Sequence, residues 1–341
     1  MQRYVREVLP KAIHQKGPIR GLVDALYDRG QLKLEYDAAR TRTASEAFAA
    51  RQGNCLSLVI MTGALARELG VDVRYQQVFV DTEWHRQGDL LVYTDHVNLR
   101  LDTVRADWKT LTRDGSALVV DFLPSPANTR EAVSEISEAT VLAMYMNNRA
   151  AESIGGGNLA TAYWYAREAL AHDARYIPAY NTLALVYARR GLNDEAIAVL
   201  DEALRHAPED VLVLANQAGF LRTAGRIAEA DTLDAKLRAI EPVAPYHWFQ
   251  RGLAALKAGQ FLVARDFFVK ELSRQPYNAE FHFAMAATFI GMGDLPKARE
   301  HFEQAREYST TTTSRELYGA KLEMIQRRID CSRKGNCDAK G

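Results

Sequence analysis

Small and apolar residues recur along the C-terminal half of the chain with a fixed period of 34 residues. Each period contains a glycine, and an alanine follows it five positions later. Glycine ends a helix or forms its turn, alanine lets helices pack closely, and proline stops a helix. The pattern therefore predicts five stacked helix pairs, marked by Gly157, Gly191, Gly225, Gly259 and Gly293, by Ala162, Ala196, Ala230, Ala264 and Ala298, and by Pro208, Pro242 and Pro276.

A 34-residue period is the length of the tetratricopeptide repeat, and residues 143–312 resemble that family. Departures from its pattern include Asp234, which stands where a large apolar residue usually packs, and Glu271, which stands where alanine is usual. Residues 313–330 are expected to form the helix that caps the solenoid. The five predicted repeats span residues 143–176, 177–210, 211–244, 245–278 and 279–312.

In the tetratricopeptide family the first helix of each repeat lines a concave face. A row of amides there can bind an extended peptide backbone, because each amide both donates and accepts hydrogen bonds. A solvated helix face is the alternative, and Arg189 and Arg222 are the candidates for a basic clamp on a peptide carboxylate. By this resemblance the fifth and sixth places of the first helices hold Asn147 and Asn148, Asn181 and Thr182, Ala215 and Asn216, and Phe249 and Gln250.

The N-terminal half has a different pattern, in which helical stretches precede alternating ones. Residues 44–52 predict a short amphipathic helix, and an apolar helix follows from about Cys55 to Leu69. Asn54 is a good N-cap for this second helix, and Gly70 ends it. Alternating apolar and polar residues then predict strands over 71–80, 90–102 and 117–120, with a loop around Trp84, Gly88 and Asp89.

Cys55 falls in the first turn of its predicted helix, where backbone amides and the helix dipole stabilise a thiolate. A small buried core residue is the alternative for a cysteine on an apolar helix. His96 and Asn98 share one face of the second predicted strand, and Asp121 follows the third. A nucleophile, a base and an orienting acid in this order form a coherent triad. Asp102 is the alternative orienting acid, and Asn98 is either a cleft residue or a strand hydrogen-bonding residue.

Residues 20–128 resemble the transglutaminase-like cysteine enzymes, through RQGNCLSL around Cys55, DHVNL around His96 and VVDFLP around Asp121. The resemblance implies a papain-like α+β fold, as in bacterial proteins that join such a domain to tetratricopeptide repeats. Cys55 would attack an amide carbonyl, His96 would take and return the proton, and Asp121 would orient the imidazole. Transfer of the acyl group to water or to an amine would give hydrolysis or transamidation.

The chain is 341 residues long, and its 43 basic and 43 acidic residues give a net charge of zero. The charges are shared evenly by the two halves, which argues against a nucleic-acid-binding protein. The longest apolar stretch, Leu56 to Ala66, is too short to span a bilayer. No closely spaced His/Cys set suggests a metal, no glycine-rich loop suggests a phosphate, and no cofactor is predicted. The expected partner is a peptide or a protein.

Two function classes follow from these patterns. The first is a cysteine hydrolase or acyl-transferase acting on peptide or protein amides, with the repeats recruiting the substrate. The alternative is a non-catalytic interaction scaffold with a vestigial transglutaminase-like module. The retention of all three triad residue types favours the enzyme.

The prolines and polar residues of 123–129 mark a boundary between the two halves, and residues 131–148 are expected to be helical. So short a junction predicts that the two parts are docked rather than loosely tethered. The expected domains are 1–128 (transglutaminase-like), 129–142 (linker and lead-in helix), 143–312 (repeats), 313–330 (capping helix) and 331–341 (tail).

The cysteines of the tail and the N-terminal residues are the features that bear on the cellular compartment. Cys331 and Cys337 could form a disulfide or remain free thiols in the tail. The N-terminal residues show no secretory signal, although one could have been removed. The expectation leans to the bacterial periplasm, with the cytoplasm as the alternative.

Overall fold

The structure is a computed structural model that describes residues 1–28, 31–37, 40–79, 84–87, 90–93, 96–102, 117–122, 132–240, 246–309 and 312–334. The chain divides into two compact units, one of residues 1–80 and 84–242, the other of residues 81–83 and 243–341. The described part is mostly helical. The predicted boundary segment 123–129 lies outside the described residues, as do the predicted loop residues Gly88 and Asp89 and the tail residue Cys337.

The first unit begins with a group of helices that pack around one long apolar helix. This helix, α5, starts at Cys55 and ends beside Gly70, which has a φ of +68°, as the sequence predicted. Asn54 caps it, because its side chain accepts a hydrogen bond from the Ser57 amide. The five helices are α1 (Gln2–Glu7), α2 (Leu9–Lys16), α3 (Pro18–Tyr27), α4 (Ala44–Ala50) and α5 (Cys55–Glu68).

A four-stranded antiparallel sheet follows, with the strand order β7-β6-β3-β8. Val78 of β3 pairs with His96 of β6, and Leu99 of β6 pairs with Val120 of β7. Two further pairs of strands, β1 with β2 and β4 with β5, lie outside this sheet. The strands are β1 (Glu35–Tyr36), β2 (Gln52–Gly53), β3 (Asp72–Phe79), β4 (Trp84–Gln87), β5 (Leu90–Tyr93), β6 (His96–Asp102), β7 (Leu118–Val120) and β8 (Ala132–Ile136).

Three local predictions were wrong in the same way. The strand predicted over 90–102 is divided into β5 and β6, and Trp84, placed in a loop, begins β4, which pairs with β5. Residues 132–136, expected to be helical, form β8 against β3. In each case pairing with a neighbouring strand decided the backbone conformation, which a local pattern does not contain.

Helix pairs continue the first unit as a solenoid. The first-repeat helix α6 begins at Glu138, five residues earlier than the repeat boundary at 143 predicts, after a Ser137 N-cap. Helices α6 and α7, α8 and α9, and α10 and α11 correspond to the first three predicted repeats. They span Glu138–Gly155, Leu159–His172, Ile177–Arg189, Asn193–His206, Val211–Thr223 and Ile227–Ile240.

The periodic glycines follow helix ends and the periodic alanines are buried, as the 34-residue period predicted. Each of the five glycines has a φ between +73° and +78°, a left-handed conformation that favours glycine after a helix. Each of the five alanines is completely buried. The sequence period therefore records one helix-ending turn and one close helix contact in every repeat.

The hydrophobic core of the N-terminal helices and sheet runs on into the first repeat. Leu58 and Leu99 belong to the same buried cluster as Met144 of α6 and Ala169 of α7. Arg67 of α5 also forms an ion pair with Glu138 of α6, with its Nη1 lying 2.7 Å from the carboxylate. The N-terminal part and the first repeat thus pack against one another, as the short junction between them predicted.

The second unit holds the fourth and fifth repeats and the capping helix. Their helices are α12 (His247–Lys257), α13 (Phe261–Leu272), α14 (Ala279–Gly291), α15 (Leu295–Glu307) and α16 (Thr312–Lys334). Helix α16 buries Ile325 and Ile329 against Ala286 and Phe302, so it covers the end of the fifth repeat. Among the described residues, no helix combines the length and the apolar character needed to cross a membrane.

Asp234 and Glu271, which depart from the repeat pattern, each form a specific contact. Asp234 forms an ion pair with Arg222 across its own repeat. Glu271 is buried, and its carboxylate accepts hydrogen bonds from the backbone amides of Tyr246 at 3.2 Å and Trp248 at 3.1 Å. These amides open α12, whose N-cap residue Tyr246 supplies no side-chain cap. Glu271 therefore caps the neighbouring helix of its own repeat.

Candidate functional site

The structure brings His96 and Asp121 together on neighbouring strands. His96 opens β6, and Asp121 directly follows β7, which pairs with β6. The His96 Nε2 atom lies 2.8 Å from Asp121 Oδ2, although the two residues are 25 positions apart. His96 is buried, whereas about a quarter of the Asp121 side chain (24%) is accessible to solvent. The pairing depends on strand register and not on proximity in the chain.

Asn98 completes this arrangement from the same face of β6. Its Nδ2 atom donates to the same Oδ2 atom of Asp121 at 3.2 Å. The Asn98 side chain is buried, and within the described residues its Oδ1 atom has no hydrogen-bond partner. The sequence placed Asn98 on the His96 face, and the structure shows that it helps to hold the carboxylate.

The pKa of His96 is raised to about 10. Burial is the largest influence and lowers this pKa, because it disfavours the imidazolium ion. Asp121, through its hydrogen bond and its charge, and the neighbouring Cys55 thiol outweigh burial and raise the pKa. The site therefore favours a protonated, positively charged His96 at neutral pH.

Cys55 approaches the same imidazole from α5, which packs against β6. It is the first residue of the helix, is 7% exposed and is a free thiol. Nε2 of His96 is occupied by Asp121, while the buried Nδ1 has no close hydrogen bond within the described residues. Nδ1 is thus the ring atom left to exchange a proton with the thiol.

Tyr27 is a contact of the site that the sequence analysis missed. Its hydroxyl donates to the Asp121 carbonyl oxygen at 3.2 Å, and its ring lies 6.3 Å from that of Phe122. Burial, together with the Asp121 charge, raises the pKa of Tyr27. No sequence signal marks this residue, because it comes from α3, 94 positions before Asp121. Asp102, the alternative orienting acid, instead pairs with Arg100.

Some side-chain amides of the predicted row form hydrogen bonds within the protein itself. Asn181 and Asn216 are buried, and Asn216 Nδ2 donates to Asn181 Oδ1 at 3.1 Å. Asn147 is also buried, and its Oδ1 atom has no hydrogen-bond partner among the described residues. Asn148 is half-buried. The first helices of repeats two and three therefore do place their amides next to one another.

The remaining predicted ligand residues are dispersed. Arg189 and Gln250 are exposed, while Arg222 is held by its ion pair with Asp234. Phe249 was wrong as a ligand residue, since it is only 3% exposed and packs against Phe268 and Phe281 in the core. An aromatic residue at this place of the repeat fills the core of the second unit rather than a groove.

The described residues contain no group of three or more His, Cys, Asp or Glu side chains that could hold a metal ion. Cys331, at the end of α16, is disulfide-bonded.

Comparison with known proteins identifies the repeats. Residues 177–220, which cover the second repeat and most of the first helix of the third, match the family model described as tetratricopeptide repeat. No curated protein matches the chain. The family match supports an interaction scaffold better than it supports an enzyme, because it concerns the solenoid alone.

Several solved structures are similar to about half of this chain. The crystal structure of MamA protein is 17% identical and covers 51% of this chain and 93% of its own, with a TM-score of 0.29. YrrB, titled a tetratricopeptide-repeat protein with an unusual peptide-binding site, is 20% identical, with coverages of 53% and 92% and a TM-score of 0.28. Pseudomonas aeruginosa pilF is 20% identical, with coverages of 58% and 90% and a TM-score of 0.32. At these identities and TM-scores the similarity carries no argument about function.

Tetratricopeptide repeats are protein-interaction modules that bind peptide or protein partners. No comparison identifies a transglutaminase-like domain in residues 1–128. The solenoid part of this chain is therefore of the tetratricopeptide-repeat type, and its expected partners are peptides or proteins.

Proposed function

We propose that the protein is a scaffold that binds a peptide or protein partner through its tetratricopeptide repeats. The observation that carries this proposal is the family match over residues 177–220, supported by the one conformation that the five periodic glycines of the repeats share. Repeat solenoids of this kind offer an extended surface that a single small domain lacks. The N-terminal part would then act as a second module, packed on the first repeat.

The first helices of repeats two and three are the proposed contact surface. Asn181 and Asn216 lie side by side there with less than a tenth of their surface exposed, and each amide has both donor and acceptor atoms. An extended peptide could exchange its backbone hydrogen bonds for the one between these two side chains. With zero net charge on the chain, backbone recognition and apolar contacts would supply the affinity rather than long-range attraction.

The test is selection of binders from a random peptide library displayed against the full chain, followed by fluorescence anisotropy with the selected peptides. We expect affinity to fall by about tenfold or more in the double variant Asn181→Ala/Asn216→Ala, because two hydrogen-bonding groups are lost. Glu195→Ala, on the exposed side of the second helix of repeat two, is the matched control and should bind as the wild type does. Circular dichroism checks that both variants are folded. Equal affinity in all three proteins would refute this surface.

A second candidate function, acyl transfer by a cysteine nucleophile, is favoured by the 2.8 Å contact between His96 and Asp121. The Cys55 sulfur would form a bond to an amide carbonyl carbon, and the carbon–nitrogen bond would then break. His96 would carry the thiol proton to the leaving amine, and Asp121 would hold the imidazole. Water or an amine would release the acyl group and restore the thiol. The triad residues of the sequence favour this function, but the family match gives it no support.

The test is iodoacetamide alkylation of Cys55 across pH, read at the Cys55 peptide by mass spectrometry. A nucleophilic Cys55 should react with a midpoint well below the ordinary thiol pKa of about 8.5, and His96→Ala should move the midpoint up to that value. His14→Ala, an exposed histidine of α2, is the control that should leave the midpoint unchanged. If the wild type already reacts as an ordinary thiol, the catalytic proposal fails and the scaffold remains.

A further inference from the structure

Thr41 is a fully buried residue that hydrogen-bonds both the start of α5 and the side of α6. Asn54, the N-cap of α5, donates from Nδ2 to Thr41 Oγ1 at 2.8 Å. Two residues of α6 hold the Thr41 backbone: its amide donates to Glu152 Oε1 at 2.5 Å, and its carbonyl oxygen accepts from Arg149 Nη1 at 3.1 Å. Both backbone groups of Thr41, in the loop before α4, are therefore hydrogen-bonded to the first repeat.

The Asn54 side chain is fully used in this arrangement. Its Oδ1 atom accepts from the Ser57 amide at 2.9 Å and from the Ser57 hydroxyl at 2.6 Å. Its Nδ2 atom is the group that reaches Thr41. Asn54, Ser57 and Thr41 are all buried, so water cannot replace a hydrogen bond that is lost among them.

These hydrogen bonds affect the position of the thiol, because Cys55 directly follows Asn54 and begins the helix that Asn54 caps. A shift of the Asn54 side chain would move the first turn of α5 and change the approach of Cys55 to His96. The group at the far end of this series of hydrogen bonds, Glu152, belongs to the first helix of the first repeat and not to the N-terminal part.

We propose that Glu152 is a positioning residue for the thiol site, which it holds in place through Thr41 and Asn54. The first repeat is then part of the machinery around Cys55, and the N-terminal part cannot keep the site in order alone. This inference rests on the second candidate function, thiol chemistry at Cys55, and adds to it a residue that touches neither the substrate nor the thiol.

The structure offers a matched control for Glu152. Glu138 also joins α6 to α5, but it does so through Arg67 in the last turn of α5, far from the N-cap, with bonds of 2.7 Å and 3.0 Å. Removing Glu138 weakens the same helix pair without touching Asn54 or Thr41. Glu152→Gln is the conservative variant, because glutamine keeps an acceptor oxygen for the Thr41 amide.

The experiment compares the full-length wild type with Glu152→Ala, Glu152→Gln and Glu138→Ala. The first readout is hydrogen exchange at the Ser57 amide. It reports whether the α5 cap is intact and does not depend on the reactivity of the thiol. We expect Glu152→Ala to speed this exchange by about tenfold relative to Glu138→Ala, because it removes a charge-assisted hydrogen bond from a buried amide. Glu152→Gln should restore most of the protection.

The second readout is the pH midpoint of Cys55 alkylation, which should move toward that of an ordinary thiol, about 8.5, in Glu152→Ala alone. A Thr41→Val change combined with Glu152→Ala should then add little, since both act through one series of bonds. If Ser57 exchange is the same in Glu152→Ala and Glu138→Ala, the positioning role is refuted. If exchange changes but the wild-type thiol is ordinary throughout, the link stands and the thiol chemistry is what fails.

Discussion

At the scale of single residues, the ionisation of His96 depends strongly on its neighbours. Burial opposes its positive charge, while Asp121 and Cys55 stabilise that charge and raise its pKa to about 10. A group whose pKa in the folded state exceeds its unfolded value of about 6.5 stabilises the fold when protonated. That stabilisation is complete below about pH 6.5 and is lost as the pH rises toward 10.

We predict that the free energy of unfolding falls between pH 6.5 and 10, and that Asp121→Asn flattens this decline. The asparagine keeps the shape of the side chain but removes the charge that raises the His96 pKa. Urea unfolding at several pH values measures the slope, and NMR titration of the His96 ring measures the pKa directly. Other groups titrate in this range in both proteins, so the difference between the two profiles is the informative quantity. Parallel profiles would contradict the prediction.

At the scale of secondary-structure elements, the capping of α12 shows how a repeat tolerates an acidic residue in its core. The Glu271 carboxylate reaches from α13 to the amides that begin α12. Burial raises its pKa, and Arg274, with its Nη1 3.4 Å away, opposes that rise together with the backbone amides. The repeat pattern alone predicts alanine here, whereas in the structure the carboxylate caps α12.

Glu271→Ala should therefore destabilise the second unit by about 1–3 kcal/mol, although it restores the usual residue of the repeat. The loss arises because two amides at the start of α12, one buried and one partly buried, would be left without their acceptor. Chemical denaturation followed by tryptophan fluorescence measures the change. Glu307→Ala, at an exposed position of α15, should be nearly neutral. A stabilised Glu271→Ala protein would show that the repeat pattern, and not the cap, decides this position.

Helices α14 and α15 meet at a pair of histidines with a different dependence on pH. His282 Nδ1 lies 3.0 Å from His301 Nδ1, and His282 Nε2 lies 2.8 Å from the Pro276 carbonyl oxygen. The hydrogen bond between the rings requires one Nδ1 atom to be unprotonated. Burial and His282 lower the pKa of His301 to about 4, and burial lowers that of His282.

Because His301 binds its proton more weakly in the folded state than in the unfolded one, the stability of the second unit should fall as the pH drops from 6.5 to about 4. We predict that His301→Phe reduces this loss, since the His301 ring already stacks on Phe289 at 5.4 Å and the substitution removes the proton site. Thermal unfolding of both proteins at pH 7 and pH 4.5 provides the measurement. Equal acid sensitivity would exclude the histidine pair as its cause.

At the scale of the whole molecule, the chain consists of two compact units. In each unit a different element covers the hydrophobic core at the end of the repeats. In the first unit the core of the N-terminal helices and sheet continues into the first repeat, through Met144 and Ala169. In the second unit α16 places Ile325 and Ile329 on Ala286 and Phe302 of the last repeat. A solenoid needs such covers because each repeat can bury only the faces that a neighbour meets.

Ending the chain at residue 311 should therefore destabilise α14 and α15. Fully burying one large aliphatic side chain is worth about 1.5–3 kcal/mol, and α16 contributes two such side chains to the cluster. Hydrogen exchange with mass spectrometry should show lost protection in α14 and α15, while α5 and β6 of the first unit exchange as before. Unchanged protection in α14 and α15 would mean that the last repeat is closed without α16.

The sequence by itself determined the features that depend on local chemistry and on period. The 34-residue spacing of glycine and alanine predicted the helix pairs, because each turn needs a left-handed residue and each helix contact needs a small one. Asn54 and Gly70 likewise marked the ends of α5, and alternation placed His96 and Asn98 on one face of a strand. The candidate site was predictable to this extent, since Cys55, His96 and Asp121 each follow a local signal.

Only the tertiary structure decided which distant groups meet. Strand register brought His96 to Asp121, and helix packing brought Tyr27 to the Asp121 carbonyl oxygen. Thr41 hydrogen-bonds Asn54 and also Glu152, which lies 111 positions further along the sequence. The tertiary structure also made residues 132–136 a single strand, β8, and placed Phe249 in the core. The physical reason is that hydrogen bonds and burial between distant segments depend on packing, which is settled only when the whole chain folds and which a local pattern cannot encode.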